Sequence, residues 1–230
     1  MIMKKAITIL LGIGSVLLLT GIAYAFLVAP IAVDPNTGKE VFHQKILYFH
    51  VPVAETSLVS FILAAVFGAL FLYKRERKYD FLSLAAVELG FMYGLLVEMT
   101  GMMWDKAAWG VWWQWEPRLT TYLILMLMYS GYFVMRSSIG EDSTKARFGA
   151  VYAIIAAVNV PLTFFAIRLI PSIHPILFDS SGAGLEGPLL VAFLVSMFGM
   201  TFFYVSLLLT RYQMFGVSEE LDILKNQIGG

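Results

Sequence analysis

The chain contains no cysteine. That absence excludes disulfide bonds, zinc sites built from thiolates, thiol–disulfide chemistry and covalent haem attachment through a Cys-x-x-Cys-His motif. Histidine is also rare, with three residues at positions 43, 50 and 174. The formal net charge is zero, so charge balance indicates neither a nucleic-acid partner nor an acidic one. Any histidine-based site must be built from these three residues.

Charged residues are scarce and apolar residues abundant. Charged residues make up 14% of the chain and hydrophobic residues 59%, with a mean hydropathy of +0.78. Ordinary soluble domains have about 25% charged and about 45–50% apolar residues. The apolar excess is too large for the core of a water-soluble chain of this length. The composition therefore predicts an integral membrane protein.

Six apolar segments are long enough to cross a bilayer as helices, which takes about 20 residues each. They are predicted at residues 6–28, 45–73, 81–103, 119–137, 148–170 and 188–212. No internal repeat or long linker divides the chain, so one all-α membrane domain over residues 1–230 is expected. The first segment also resembles a secretory signal peptide, but it exceeds the usual apolar length of about 7–15 residues, which favours a retained helix.

The basic residues indicate an orientation, because cytoplasmic loops carry an excess of Lys and Arg. One set of segments holds eleven of the sixteen basic residues: Lys4, Lys5, Lys74, Arg75, Arg77, Lys78, Arg136, Lys145, Arg147, Arg211 and Lys225. The opposite set holds Lys39, Lys45, Lys106, Arg118 and Arg168. Both termini are therefore predicted in the cytoplasm, and the segments 29–44, 104–118 and 171–187 are predicted to face outward.

All five tryptophans lie within residues 104–115, and four of them belong to the sequence WGVWWQWEPRLT at 109–120. Tryptophan also forms interfacial belts, but a belt places one or two rings at several helix ends. One loop that holds every tryptophan, an acid and an arginine favours a binding surface for a flat apolar ligand. Arg118 is suited to bind a ligand carboxylate or to pair with Glu116.

Two histidines are predicted on the same outer side as the tryptophans. His50 precedes Pro52 near the outer end of the second span, and Pro52 favours a helix start or kink there. His174 lies between Pro171 and Pro175 in the last outer loop. Taken alone, each is more typical of a hydrogen-bonded or exposed residue. Together, beside an aromatic surface, they suggest two axial ligands of a haem, with His43 as a weaker candidate.

Polar residues inside the predicted spans allow plainer interpretations. Glu55, Glu88 and Glu98 are costly in lipid and are expected to face protein or water. Protonated or paired residues that hold helices together are the favoured interpretation, ahead of a direct role in a binding site. The Asn159-Val160-Pro161 sequence is predicted to break the fifth helix and to leave the Ala157 carbonyl for another donor.

Three segments of the sequence resemble a known family. The segment WGVWWQWEPRLT is similar to the tryptophan-rich WWD signature of haem-handling proteins in cytochrome c biogenesis. YFHVP at 48–52, and NVP at 159–161 followed by His174, resemble the CcmC family in particular, and the length and six spans agree. The relatives CcmF and CcsA carry the same signature in longer chains. One departure is that the signature usually ends in Trp-Asp, whereas Trp115-Glu116 stands here.

The resemblance implies a haem-delivery protein, rather than an enzyme, on the outer face of the cytoplasmic (inner) membrane. It implies non-covalent haem b in transit, passed to the haem chaperone CcmE beside the ABC transporter CcmAB and the small protein CcmD. Carried over by position, His50 and His174 would be the axial ligands. The tryptophan-rich loop at 104–120 would supply the rest of the haem-binding site, namely Trp109, Trp112, Trp113, Trp115, Glu116 and Arg118.

Two other functions remain open from the residues themselves. A membrane b-type cytochrome usually holds haem between histidines on facing helices, whereas one histidine here is in a loop. A permease component of a haem ABC transporter fits six spans, but the chain has no phosphate-binding Gly-x-x-x-x-Gly-Lys-Ser/Thr motif, so another subunit would have to supply energy. Haem co-purification, with transfer to a separate chaperone, distinguishes delivery from both.

Overall fold

The computed structural model describes residues 2–33, 38–175, 178–179 and 182–228, and these form a bundle of helices. In chain order the helices are α1 (Ile2–Leu27), α2 (Leu47–Lys74), α3 (Arg77–Trp109), α4 (Pro117–Ser138), α5 (Asp142–Ala157), α6 (Asn159–Leu169) and α7 (Gly187–Ile228). One 3-10 turn, Phe42–Ile46, precedes α2, and the two-residue strands β1 (Phe178–Asp179) and β2 (Gly182–Ala183) pair antiparallel. The all-helical prediction is confirmed.

Within the described residues, five helical stretches are long and apolar enough to cross a membrane: Met3–Leu27, Phe42–Lys74, Arg77–Trp109, Asp142–Leu169 and Gly187–Ile228. The predicted fourth span corresponds to α4, which is 22 residues long but is not among the five. Its sequence carries two arginines and many hydroxyl side chains. The protein is a membrane protein with five such helices, and a sixth crossing by α4 stays a prediction.

Small residues let the first and last helices pack closely. A Cβ added to Gly199 on α7 would collide with the backbone of Leu18 on α1, and one added to Gly14 would collide with Phe203. Close backbone approach through small residues is a common way for helices to associate in lipid, where apolar burial alone gives little preference. The α1–α7 pair is therefore fixed by contact of the two backbones.

Polar groups between the helices are mostly paired. Glu88 accepts two hydrogen bonds from Arg211 at 2.6 and 2.9 Å, and Asp80 accepts two from Arg136 at 2.9 Å each. The interpretation of Glu88 as a paired residue that joins two helices is thus confirmed. Glu55 differs, because it is exposed on α2.

The segment that carries the tryptophans is helix for half its length. α3 continues through Trp104 to Trp109 and ends at Gly110, whose φ of 79° closes the helix in the left-handed conformation that glycine adopts easily. Residues 110–116 then form the connection to α4, which begins at Pro117. The loop predicted at 104–120 is therefore restricted to 110–116, because no glycine or proline interrupts the helix between Met103 and Gly110 and α4 begins at Pro117.

Two further local features position this end of the bundle. Lys45 is buried, and its ammonium group donates to the carbonyls of Ala25, Phe26 and Ala29, which caps the last turn of α1. The predicted break at Asn159 is present between α5 and α6, and the Asn159 amide donates to the Thr121 carbonyl of α4 at 2.8 Å.

Candidate functional site

A large cavity lies where α2, α3, α4, α6 and α7 meet, and both His50 and His174 line it. Its volume is 1370 Å³, above the range of about 300–1,000 Å³ typical of small-molecule sites. Along α2 it reaches from Leu47 to Ile62, about 22 Å at 1.5 Å per residue. We call it the histidine cavity. Most of its lining is apolar, with a few polar groups, as expected of a site for a large apolar ligand.

His50 is half-buried and oriented by α3. Its Nδ1 lies 2.8 Å from Thr100 Oγ1, and that hydroxyl donates at 2.7 Å to the Leu96 carbonyl. Because the hydroxyl has one proton, already given to the carbonyl, Nδ1–H is the donor to Thr100. The Nε2 lone pair is then available. A ring held through Nδ1, with Nε2 left to bind, is the usual arrangement of metal-binding histidines.

Gly101 leaves room for the His50 imidazole. A Cβ built at Gly101 would lie 3.5 Å from His50 Cε1, an ordinary contact distance. The ring therefore lies directly against α3, where any side chain longer than alanine would compete with it for space.

The His174 imidazole has the same tautomer as that of His50, with the proton on Nδ1. Its Nδ1 lies 3.0 Å from the Pro175 carbonyl oxygen, which only accepts, so Nδ1 carries the proton and Nε2 has a lone pair. Burial and, secondarily, the positive charge of Arg118 lower the pKa of His174 to about 4. The imidazole is consequently neutral near pH 7, the form that binds a metal.

The Glu116 carboxylate anchors the segment that carries His174. We call residues 110–116 the tryptophan loop and residues 170–175, which follow α6, the histidine loop. Glu116 is buried; its Oε1 accepts from the Leu119 N–H at 2.8 Å, which caps α4, and its Oε2 accepts from the Ser172 hydroxyl. The Ser172 oxygen in turn accepts the His174 backbone N–H at 3.0 Å. The Glu116–Ser172–His174 chain of hydrogen bonds ties the tryptophan loop to the histidine loop.

The alternative in which Arg118 pairs with Glu116 is wrong in this structure. Among the residues described, no ion pair joins them, since both Glu116 oxygens accept other bonds. Arg118 instead donates from Nη2 to the Phe164 carbonyl of α6 at 3.1 Å. Arg118 is also among the residues that line the histidine cavity.

The tryptophans divide into an inner and an outer group. Trp104 and Trp113 line the histidine cavity. Trp109 packs edge-on against Trp104 with centroids 4.9 Å apart, and Trp115 packs edge-on against Trp113 at 5.6 Å. Trp112 and Trp115 are 59% and 76% exposed. The inner rings therefore form the cavity wall and the outer ones face away from the protein.

Buried polar atoms without partners concentrate at this cavity. In the described part of the chain seven side chains have such atoms, and four of the seven line it: Glu98, Asp105, Trp113 and Thr163. An unsatisfied buried donor or acceptor costs about 1–3 kcal/mol, so a native protein tolerates few of them. Their concentration indicates a space evolved for a ligand or water rather than a poorly packed core.

Several residues at this cavity are not among the haem-binding residues that the family resemblance implies. Trp104 lies 6.4 Å from His174 and 6.0 Å from His43 between ring centroids, and it is the one tryptophan left out of that set. Thr100, Asp105, Ser172 and Arg168 were also missed. Only Ser172 is indicated by the local sequence, because a serine hydroxyl often accepts the backbone N–H of the residue two positions further along the chain.

The chain matches the family model described as "Heme exporter protein C" over residues 1–226. It is 32% identical to the heme exporter protein C of Rhodobacter capsulatus over 149 aligned residues. This alignment covers 65% of this chain and 60% of that protein. It is 30% identical to the protein of that name from Bradyrhizobium diazoefficiens, over 76% of this chain and 68% of the relative. The Haemophilus influenzae protein is 28% identical over 86% of this chain and 80% of its own length.

Proposed function

We propose that this chain, which belongs to the heme exporter protein C family, binds haem in the histidine cavity and delivers it during c-type cytochrome biogenesis. Haem is then the cargo rather than a resident cofactor. It is held without covalent attachment, as haem b, because the chain has no cysteine to form a thioether.

The observation that carries this proposal is the state of the two imidazoles. Both line one cavity, both engage Nδ1 with a protein oxygen, and both retain an Nε2 lone pair. We assign His50 and His174 as the axial ligands. Haem iron supplies the electron-pair acceptor for these nitrogens, and the apolar wall around them excludes water from the iron.

The tryptophans and Arg118 complete the proposed site. Trp104 and Trp113 provide flat apolar walls inside the cavity, and Trp109 packs edge-on against Trp104. The exposed Trp112 and Trp115 are the outer part of the platform, where a partner that accepts the haem has access. Arg118 binds a haem carboxylate, and Glu116 acts by holding the two loops together.

The partners follow from the same proposal. We propose that haem passes from this cavity to the chaperone CcmE, in a membrane complex with CcmAB and CcmD. The test is to purify the chain from haem-replete cells, measure bound haem, and then mix it with separately purified apo-chaperone. Transfer of haem to the chaperone supports delivery. Haem that stays bound and undergoes reversible oxidation and reduction favours a b-type cytochrome instead.

We further propose that the histidine cavity faces the periplasm across the inner membrane, with six crossings that include α4. The native absence of cysteine allows a direct test. An impermeant maleimide added to intact spheroplasts is expected to label Val111→Cys, at an exposed position in the tryptophan loop. It is expected to label Gly140→Cys, exposed between α4 and α5, only after lysis. The reverse pattern would place the cavity on the cytoplasmic side, and labelling of both would contradict a crossing by α4.

Thr100 provides a test of the His50 tautomer. Thr100→Val keeps the side-chain shape but removes the oxygen that accepts the His50 Nδ1–H. Loss of such an outer partner typically costs about 10–100-fold in metal affinity, so haem affinity is expected to fall within that range while low-spin ligation persists. Thr121→Val, a matched change of a hydroxyl that bonds only to its own helix, is the control. Equal haem affinity in Thr100→Val and the native protein would show that Thr100 does not orient the ligand.

A further inference from the structure

The histidine cavity continues well beyond the two histidines. Its wall on α2 extends from His50 to Ile62, which is about 18 Å along the helix at 1.5 Å per residue. A smaller cavity of 210 Å³ continues the space between α2 and α7 as far as Tyr204. We call the end far from the histidines the distal compartment. It is lined by Leu58, Val59 and Ile62 of α2 and by Met197, Phe198 and Thr201 of α7.

The wall of the distal compartment is apolar. Five of these six lining residues have apolar side chains, and the hydroxyl of the sixth, Thr201, donates to the Met197 carbonyl of its own helix at 2.9 Å. Glu55 lies one turn closer to His50 on α2, at the boundary with the part of the cavity that holds the histidines. The distal wall therefore offers van der Waals contact rather than hydrogen bonds, which favours an apolar ligand.

The distal compartment opens sideways between α6 and α7. α6 packs mainly against α4, and α7 packs mainly against α1, so neither helix fills the space between them over α2. The apolar side chains around this opening are between 41% and 59% exposed: Val59, Ile62, Phe164, Phe165, Leu194 and Phe198. All three helices belong to stretches apolar enough to cross a membrane, and residues 56–73, 148–167 and 188–210 include no charged side chain. The opening is therefore continuous with the lipid-facing surface of the protein.

The groove closes at the end away from the histidines. The hydroxyls of Ser60 on α2 and Tyr204 on α7 lie 2.7 Å apart, which joins these two helices. On the other side α5 packs closely on α2, where a Cβ at Gly68 would lie 3.1 Å from the Ala150 carbonyl oxygen. A transmembrane helix of a partner would have to continue past this closed end to cross the bilayer. A lipid acyl chain ends within the hydrocarbon layer, so it fits a groove that is closed at one end.

We infer that the distal compartment binds one acyl chain of a membrane phospholipid, which enters between α6 and α7. Lipid tails are as apolar as leucine side chains and lie directly outside the opening. An unfilled apolar space would leave its lining without van der Waals partners on one side, and an acyl chain supplies them. The lipid chain, rather than protein, then closes the histidine cavity toward the bilayer. This assignment does not depend on which ligand His50 and His174 bind.

The probe is a phosphatidylcholine with a photoreactive diazirine midway along one acyl chain. The purified full chain is reconstituted in nanodiscs that contain this lipid and irradiated, and the adducts are located by mass spectrometry of its peptides. We expect adducts at Met197, which is half-buried in the distal compartment, and at Phe148, which is exposed on α5. Leu58→Trp fills the compartment and is expected to lose the Met197 adduct while keeping the Phe148 adduct. Val151→Trp, a similar change at an exposed position of α5, is the matched control and should keep both.

The outcomes separate this inference from the proposed function. Val59→Phe narrows the same groove from its exposed rim and gives the same comparison if the tryptophan variant does not fold. A native chain with the Phe148 adduct but no Met197 adduct would overturn the inference, and so would an unchanged Met197 adduct in the filled variants. Loss of the Met197 adduct on loading with haem would also overturn it, because haem would then occupy the distal compartment, while the proposed function would stand. A Met197 adduct in a chain that binds no haem keeps the inference and contradicts the proposed function.

Discussion

Replacing either His50 or His174 by alanine is expected to abolish the low-spin absorption spectrum of the haem-loaded protein. Both imidazoles line the histidine cavity, and each keeps an Nε2 lone pair because its Nδ1 is engaged by Thr100 or by the Pro175 carbonyl. Removal of either side chain leaves one axial position without a nitrogen donor. The measurement is the reduced spectrum of each purified variant, with and without added imidazole, which should restore the low-spin form.

His43→Ala is the matched control for both variants. His43 also lines the histidine cavity, and its ring lies edge-on to Trp104 with centroids 6.0 Å apart. Its loss removes a similar volume from the same wall, so a general effect of a vacated space would appear there as well. Some haem is expected to remain in all three variants, since the apolar lining is intact, which makes the spectrum a better measure than haem content. Unchanged spectra in His50→Ala and His174→Ala, with a loss in His43→Ala, would assign the ligand to His43 instead.

The sequence was sufficient for the parts of the molecule that depend on local pattern. Long apolar runs specify helices because every backbone polar group in lipid must be satisfied within its own segment. Basic residues at alternate ends predict which loops share a side, and that rule grouped His50, His174 and the tryptophans. The structure brings His50 and His174 to one cavity together with Trp104 and Trp113, and the family resemblance is confirmed by the match over residues 1–226.

The sequence was insufficient where a side chain has its partner far along the chain. Arg118 reaches a carbonyl 46 residues away and Glu116 reaches a hydroxyl 56 residues away. With both residues two positions apart, pairing between them was the simplest expectation. The structure favours the distant partners because Glu116 precedes the first turn of α4, where unpaired N–H groups attract a carboxylate. The outer loop is predicted to begin at Trp104, whereas α3 extends five residues beyond it.

Glu116→Gln is expected to produce much of the His174→Ala defect, although Glu116 is not proposed to touch haem. The glutamine amide keeps one oxygen and can still cap α4, but its NH₂ group cannot accept the Ser172 hydroxyl proton. The Ser172–His174 segment then loses its tie to the tryptophan loop. Removing one bond to a buried charged acceptor costs about 1.5–3 kcal/mol. The ratio of low-spin haem to haem without the His174 ligand should therefore decrease about tenfold or more. The readout is the same reduced spectrum.

Three companion variants determine whether Glu116 acts through His174. Glu141 caps α5 by accepting from Ser143 and Thr144 at the far end of α4, so Glu141→Gln should leave the spectrum unchanged. Glu116→Asp keeps the charge and places a strongly preferred capping residue at this position. Its side chain is one methylene shorter and lies farther from Ser172, so its defect should be milder than that of the glutamine variant. In a His174→Ala background, Glu116→Gln should add little, because residues that act as one unit have non-additive effects.

Two outcomes would contradict this account. A normal low-spin spectrum in the glutamine variant, with its loss in the aspartate variant, would show that this position supplies side-chain length rather than charge. Additive losses in the double variant would mean that Glu116 supports the cavity by a route other than the histidine loop.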